Sequence, residues 1–182
     1  MEKNTRAFLF LLLKLFLIWL SWKGFIFIIG EESTPIHERF FPALSLKWEF
    51  FNAWYKTHLL KVCVLLLKAT GYPAWLYQGD TINIGDLSGV GVGNYCLGFQ
   101  LIYYFTMILA VSEISRFQKA FGMAVGFLAV NFLNVIRLSA LAIISAYYYR
   151  LSYFFHDYAF NIIVFGSLMV FYYWLVDKKS PH

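Results

Sequence analysis

In four places, about residues 7–30, 97–111, 120–147 and 154–176, the chain runs apolar over most of the length a bilayer demands of a helix, roughly 20 residues. A backbone in lipid must satisfy its own hydrogen bonds, so such stretches admit helices and exclude open sheets. The chain is 60% hydrophobic and 21% aromatic, well outside the composition of ordinary soluble domains. The expectation is an all-α integral membrane protein, a single domain over 1–182, with about four transmembrane helices.

The first stretch, Ala7 to Gly30, is longer than a signal-peptide core and runs on through Trp19, Trp22 and Phe25 without a small-residue cleavage site, so it reads as a retained span. Lys14 inside it is costly at mid-depth unless it snorkels or faces the bundle. Residues 31–52 are polar, contain Pro35 and Pro42, and read as an aqueous loop. From Trp54 to Tyr77 the apolar run between charges is only about seven residues, too short to cross. An interfacial or re-entrant helix over about 54–70 fits its lysines better. Gly71 and Pro73 end it.

Residues 79–96 are expected as an outer loop, glycine-rich, with Thr81-Ile-Asn-Ile alternating like a short strand. Its Gly89-Val-Gly-Val-Gly run lacks dinucleotide-loop spacing. Two readings of that run stay open, a flexible connector or a backbone that approaches a substrate closely. If Lys3 and Arg6, Arg116 and Lys119, and Lys178 and Lys179 all face the cytoplasm, the positive-inside rule is met. An even number of crossings must then lie between Gly30 and Cys96, and zero is the simplest. The chain becomes a multi-pass protein of the cytoplasmic (inner) membrane. The net charge of +5 comes from scattered basic residues, which suit topology and lipid headgroups; no nucleic-acid partner is expected.

Three residues that lipid should exclude, or that carry chemistry at its edge, fall at one depth. Cys96 opens the second span, Arg137 lies about 24 Å up the third from Phe121, and His156 begins the fourth. A cysteine is a nucleophile only as thiolate; a neighbouring histidine with an arginine nearby favours that form. His156 can return the proton to a leaving amine. Arg137 serves either the thiolate or a developing oxyanion. Asn134, one turn before Arg137, is placed to orient it. Asp157 is a weaker partner for His156, because consecutive helical residues point about 100° apart. Cys63, within Val-Cys-Val-Leu, reads as a small buried hydrophobe. The histidines show no paired ligand spacing, so neither metal nor cofactor is expected.

Cys96-Leu-Gly98, Asn134-Val-Ile-Arg137 and His156 at the head of the last span occur in that order. The pattern resembles the exosortase and archaeosortase family, membrane-embedded cysteine transpeptidases, over about residues 79–176. Leu97 stands where many members have Ser. Four spans rather than about eight match the compact members associated with the Bacteroidota. The resemblance implies catalytic Cys96, Arg137 and His156 facing the periplasmic or outer side. It also implies partners: exported proteins ending in a sorting signal with a transmembrane helix and basic tail, cleaved through a thioester and passed to a surface acceptor. A non-enzymatic membrane scaffold or accessory subunit is the alternative, with Arg137 paired to a partner's acid. A transporter ranks third, because polar residues at mid-depth are few.

Overall fold

A computed structural model describes residues 2–30, 35 and 38–177, with the side chains of residues 2–8, 11, 88, 157, 161 and 177 outside the description. Lys178 and Lys179, and the side chains of Lys3, Arg6 and Asp157, thus fall outside it. Helix α1 runs Glu2–Ile29 and α2 runs Pro42–Ala69. A three-stranded antiparallel sheet follows in order β1-β2-β3: Ala74–Tyr77, Thr81–Ile84 and Leu87–Gly91. A 3-10 turn, Asn94–Leu97, leads into α3, Phe99–Val111. Then come α4, Arg116–Tyr147, a short α5, Tyr149–Phe154, a π-helical turn, Phe155–Ala159, and α6, Phe160–Asp177. The chain is mostly helical, as expected.

Two segments differ from expectation. Polarity alone reads 31–52 as loop and starts a helix near 54. Instead α2 begins at Pro42, because proline's missing N–H and fixed φ suit a first helical turn. Its first turns are anchored by Ser45, whose Oγ donates to the Ile29 carbonyl at the end of α1. In the expected loop 79–96 the alternating Thr81–Ile84 forms β2, as expected, but Leu87–Gly91 adds an unexpected β3. Gly89 is pressed so close to β2 that a Cβ there would overlap the Ile82 carbonyl. The pairing shifts register between Ile82 and Ile84 at the same place, as a bulge does. Gly89 thus serves close strand approach, and neither open reading describes it.

Burial falls into two clusters. One joins Leu60, Cys63 and Leu67 of α2, Ile82 and Ile84 of the sheet, and Leu138 and Ala142 of α4. The other joins Phe105 and Leu109 of α3, Val130 of α4, and Val164, Leu168 and Leu175 of α6. Helix α4 belongs to both, its first half to the second cluster and its last third to the first. Glycines on that first half let neighbours close in: a Cβ at Gly126 would meet the Phe105 ring at 2.2 Å, and one at Gly122 would meet Leu175 at 2.6 Å. A capping box between Ser115 and Gln118 starts α4, satisfying donors that the first turn leaves open.

Among the described residues, two helices are long and apolar enough to cross a membrane: α1 over Leu12–Ile29, and α4 over Arg116–Tyr147. Helix α3, with 13 residues, rises only about 20 Å. The apolar part of α6, Ile162–Val176, is also shorter than those two. Leu13 on α1, Leu128 and Phe132 on α4, and Ile162 and Val170 on α6 turn outward and stay exposed. Lys14 lies over the Phe10 ring, 4.7 Å from its centroid, a cation–π contact along α1 itself.

Candidate active site

The seam between the two clusters gathers the polar residues singled out in the sequence. Cys96 sits in the 3-10 turn before α3, held by its N–H donating to the Gly93 carbonyl at 3.0 Å. His156 sits in the π-helical turn ahead of α6. Sixty residues apart, the Cys96 Sγ and His156 Nε2 lie 3.5 Å from each other, inside hydrogen-bond range for sulfur. Arg137, buried on α4, reaches the same turn: its guanidinium donates to the His156 backbone carbonyl at 3.4 Å. A π turn widens the helix, and such turns are frequent at functional sites. Here it carries the histidine.

Arg137 Nε makes no hydrogen bond with a described residue. A guanidinium offers five donors, so the 3.4 Å contact leaves capacity for another acceptor. Asn134 is 1% exposed, and neither its Nδ2 nor its Oδ1 finds a partner among the described residues. It therefore does not orient Arg137 by a hydrogen bond. Its amide instead lies across Gly98, where an added Cβ would come within 2.5 Å of Nδ2. Gly98 has φ +79, a left-handed conformation that glycine adopts without steric penalty. The Cys-x-Gly spacing thus gains a physical reason: the residue two after Cys96 reverses the chain into α3 and admits Asn134 beneath the turn.

The second thiol is of another kind. Cys63 is fully buried between α2 and α4, its Sγ 3.7 Å from the Val135 carbonyl. Desolvation pushes it up to about 11, outweighing the neighbouring Ser139 hydroxyl. A thiol so disfavoured as thiolate is inert, in keeping with a packing role.

Sequence reasoning missed other polar groups near the mouth. Arg39, buried against the end of α1, pairs with Glu49 at 2.6 Å. Asn52 is 3% exposed, and its Oδ1 has no partner among the described residues. Pro42 was the available signal: a helix starting there sets Glu49 and Asn52 three apart on one face. Asn131 was also missed; it accepts from the Tyr55 hydroxyl and ties α2 to α4.

No family model, curated protein or solved structure matches the chain.

Proposed function

We propose that the protein is a membrane-embedded cysteine transpeptidase or protease of the exosortase kind, with Cys96 as nucleophile, His156 as acid and base, and Arg137 as charge stabiliser. The observation that carries this reading is the 3.5 Å approach of the Cys96 Sγ to His156 Nε2, beside a buried arginine. The exposed apolar faces of α1, α4 and α6 support integration in the cytoplasmic membrane with four helices, since patches of this extent are unusual on soluble monomers. Helix α2 packs with the sheet and the end of α4, which suits a segment that does not cross. The catalytic seam then faces the outer side.

The chemistry follows from the positions. Unprotonated His156 Nε2 takes the Cys96 proton, and the thiolate attacks the carbonyl carbon of the scissile peptide bond of an exported protein's sorting signal. Negative charge moves to the carbonyl oxygen, where a fixed cation in a dry site acts strongly; Arg137 has donors to offer it. When the tetrahedral intermediate collapses, the C–N bond breaks and the His156 proton passes to the leaving amine. A thioester on Cys96 remains. An acceptor amine, hydroxyl or water then attacks, gives its proton to His156 and breaks the C–S bond, restoring the thiol.

The test is processing of a membrane-anchored reporter with a C-terminal apolar helix and basic tail, at matched protein level. Wild type is expected to process it, and Cys96→Ala, Arg137→Ala and His156→Ala to stop. Processing that survives in Cys96→Ala removes the nucleophile and favours the scaffold alternative.

A further inference from the structure

Beside the turn that carries Cys96 lies a cleft between the end of α1, the first half of α2 and the start of α3, with about 790 Å³ of space counting its open mouth. Its walls include Trp22, Trp48 and Phe99, the last two with ring centroids 5.4 Å apart. Its polar groups include the Arg39–Glu49 pair and Asn52. Asn94 and Tyr95 close one side, and Cys96 is the next residue along the chain.

The cleft has an unmet chemical demand. Asn52 is almost wholly buried, yet its Oδ1 accepts no hydrogen bond from any described residue. A buried acceptor left this way is destabilising, and a donor-bearing ligand removes that cost. Glu49, one-third exposed, adds carboxylate lone pairs, while Arg39 is already engaged with it. A phosphate group offers only acceptors; Lys23 in the lining suits it, but Asn52 Oδ1 and the Glu49 carboxylate would oppose it. An extended polypeptide offers N–H groups at regular spacing and side chains for the aromatic walls.

Position decides which part of a polypeptide. In the proposed reaction the residues after the scissile bond turn into lipid as a transmembrane helix, and those before it belong to the exported domain. We propose that this cleft holds the extended segment immediately N-terminal to the bond that Cys96 attacks, with Asn52 Oδ1 accepting from a substrate N–H. The cleft, rather than the catalytic seam, then selects which sorting signals are cut. This inference rests on the reading of Cys96 as nucleophile.

The test uses the full-length protein in its membrane, with Cys96→Ala to hold substrate uncut and a photoreactive phenylalanine analogue at the exposed Gln100. The probe is a reporter library with a randomised stretch ahead of a C-terminal apolar helix and a Lys/Arg tail. Crosslinks are expected in the randomised stretch and enriched for a subset of sequences, and Asn52→Leu should lower their yield by at least about tenfold, the equivalent of 1.4 kcal/mol. Asn52→Asp, which keeps size and acceptors, should retain crosslinking and shift selection towards basic residues. Crosslinks to phospholipid alone, to the apolar helix or tail, or with a sequence preference that neither Asn52 variant changes would overturn the proposal. The same library, cut by wild type but not by Cys96→Ala, separates the two ideas. Cys96-dependent cutting without cleft crosslinks removes the subsite and keeps the enzyme. Cleft crosslinks without Cys96-dependent cutting overturn the nucleophile, and with it this placement relative to the bond.

Discussion

Substituting Gly98 by Ala tests how Cys96 is positioned. The backbone there has φ +79, which costs a residue with a Cβ about 1 to 2 kcal/mol. The new Cβ would lie 2.5 Å from Asn134 Nδ2 and 3.2 Å from Val130 Cγ1, and Asn134 is 1% exposed, so it has little room to retreat. Overpacking of that kind costs about 1 to 3 kcal/mol. The two contributions give about 2 to 5 kcal/mol of destabilisation, read as a lower unfolding midpoint in detergent. Because the strain is released through the turn that carries Cys96, a displacement near 1 Å should also slow reporter processing by about a hundredfold. Gly93→Ala is the control: its φ is −75 and nothing lies within 4 Å of the added Cβ, so it should match wild type. Combining Gly98→Ala with Asn134→Ala removes the Nδ2 contact and should recover the packing part, leaving the backbone cost. The reasoning fails if Gly98→Ala melts and processes like wild type, or if the double variant is no more stable than the single one.

Asn134→Leu keeps the branching of the side chain and removes a buried amide with no described partner. Stability should rise by about 1 to 3 kcal/mol, read as a higher unfolding midpoint, and an unchanged or lower midpoint would show the amide to be satisfied in the folded protein. The two thiols should label differently: at neutral pH a maleimide should modify half-buried Cys96 and spare Cys63, as peptide mapping by mass spectrometry can show. For Cys63 the folded state holds its proton more tightly than the unfolded chain. Stability relative to Cys63→Ala should therefore fall as pH rises from 9.0 to about 11. A flat difference across that window would contradict the burial argument.

The meeting of Cys96, Arg137 and His156 was legible because apolar helices leave so few reasons for a thiol, a guanidinium and an imidazole at one level. Counting residues along α4 was enough to bring Arg137 level with Cys96 and His156, since helical rise is constant. Asn134 was placed on the right turn and given the wrong partner. One-dimensional spacing sets azimuth along α4, and it holds no information about Gly98 arriving from another helix. The alternation of Thr81-Ile-Asn-Ile announces β2, but β3 was hidden for a related reason: Gly89 contributes no side chain to an alternating pattern, and its role is set by the Ile82 carbonyl opposite. In α2, charges at Lys47 and Glu49 look like solvent-exposed loop until Pro42 is taken as a helix start. The same misreading concealed the polar groups of the cleft.

Helix α4 completes both clusters, and that arrangement imposes a timetable on synthesis. Leu60 and Leu67 of α2 and Ile82 and Ile84 of the sheet leave the ribosome before Leu138 and Ala142, against which they pack. Even the nearest of these, Ile84, is followed by 53 further residues before Leu138 appears. At about 5 to 20 residues per second, the first half of the chain spends several seconds with its apolar face uncovered. During that interval the nascent chain is at its most aggregation-prone, and truncations that end before α4 should be degraded rather than accumulate as stable fragments.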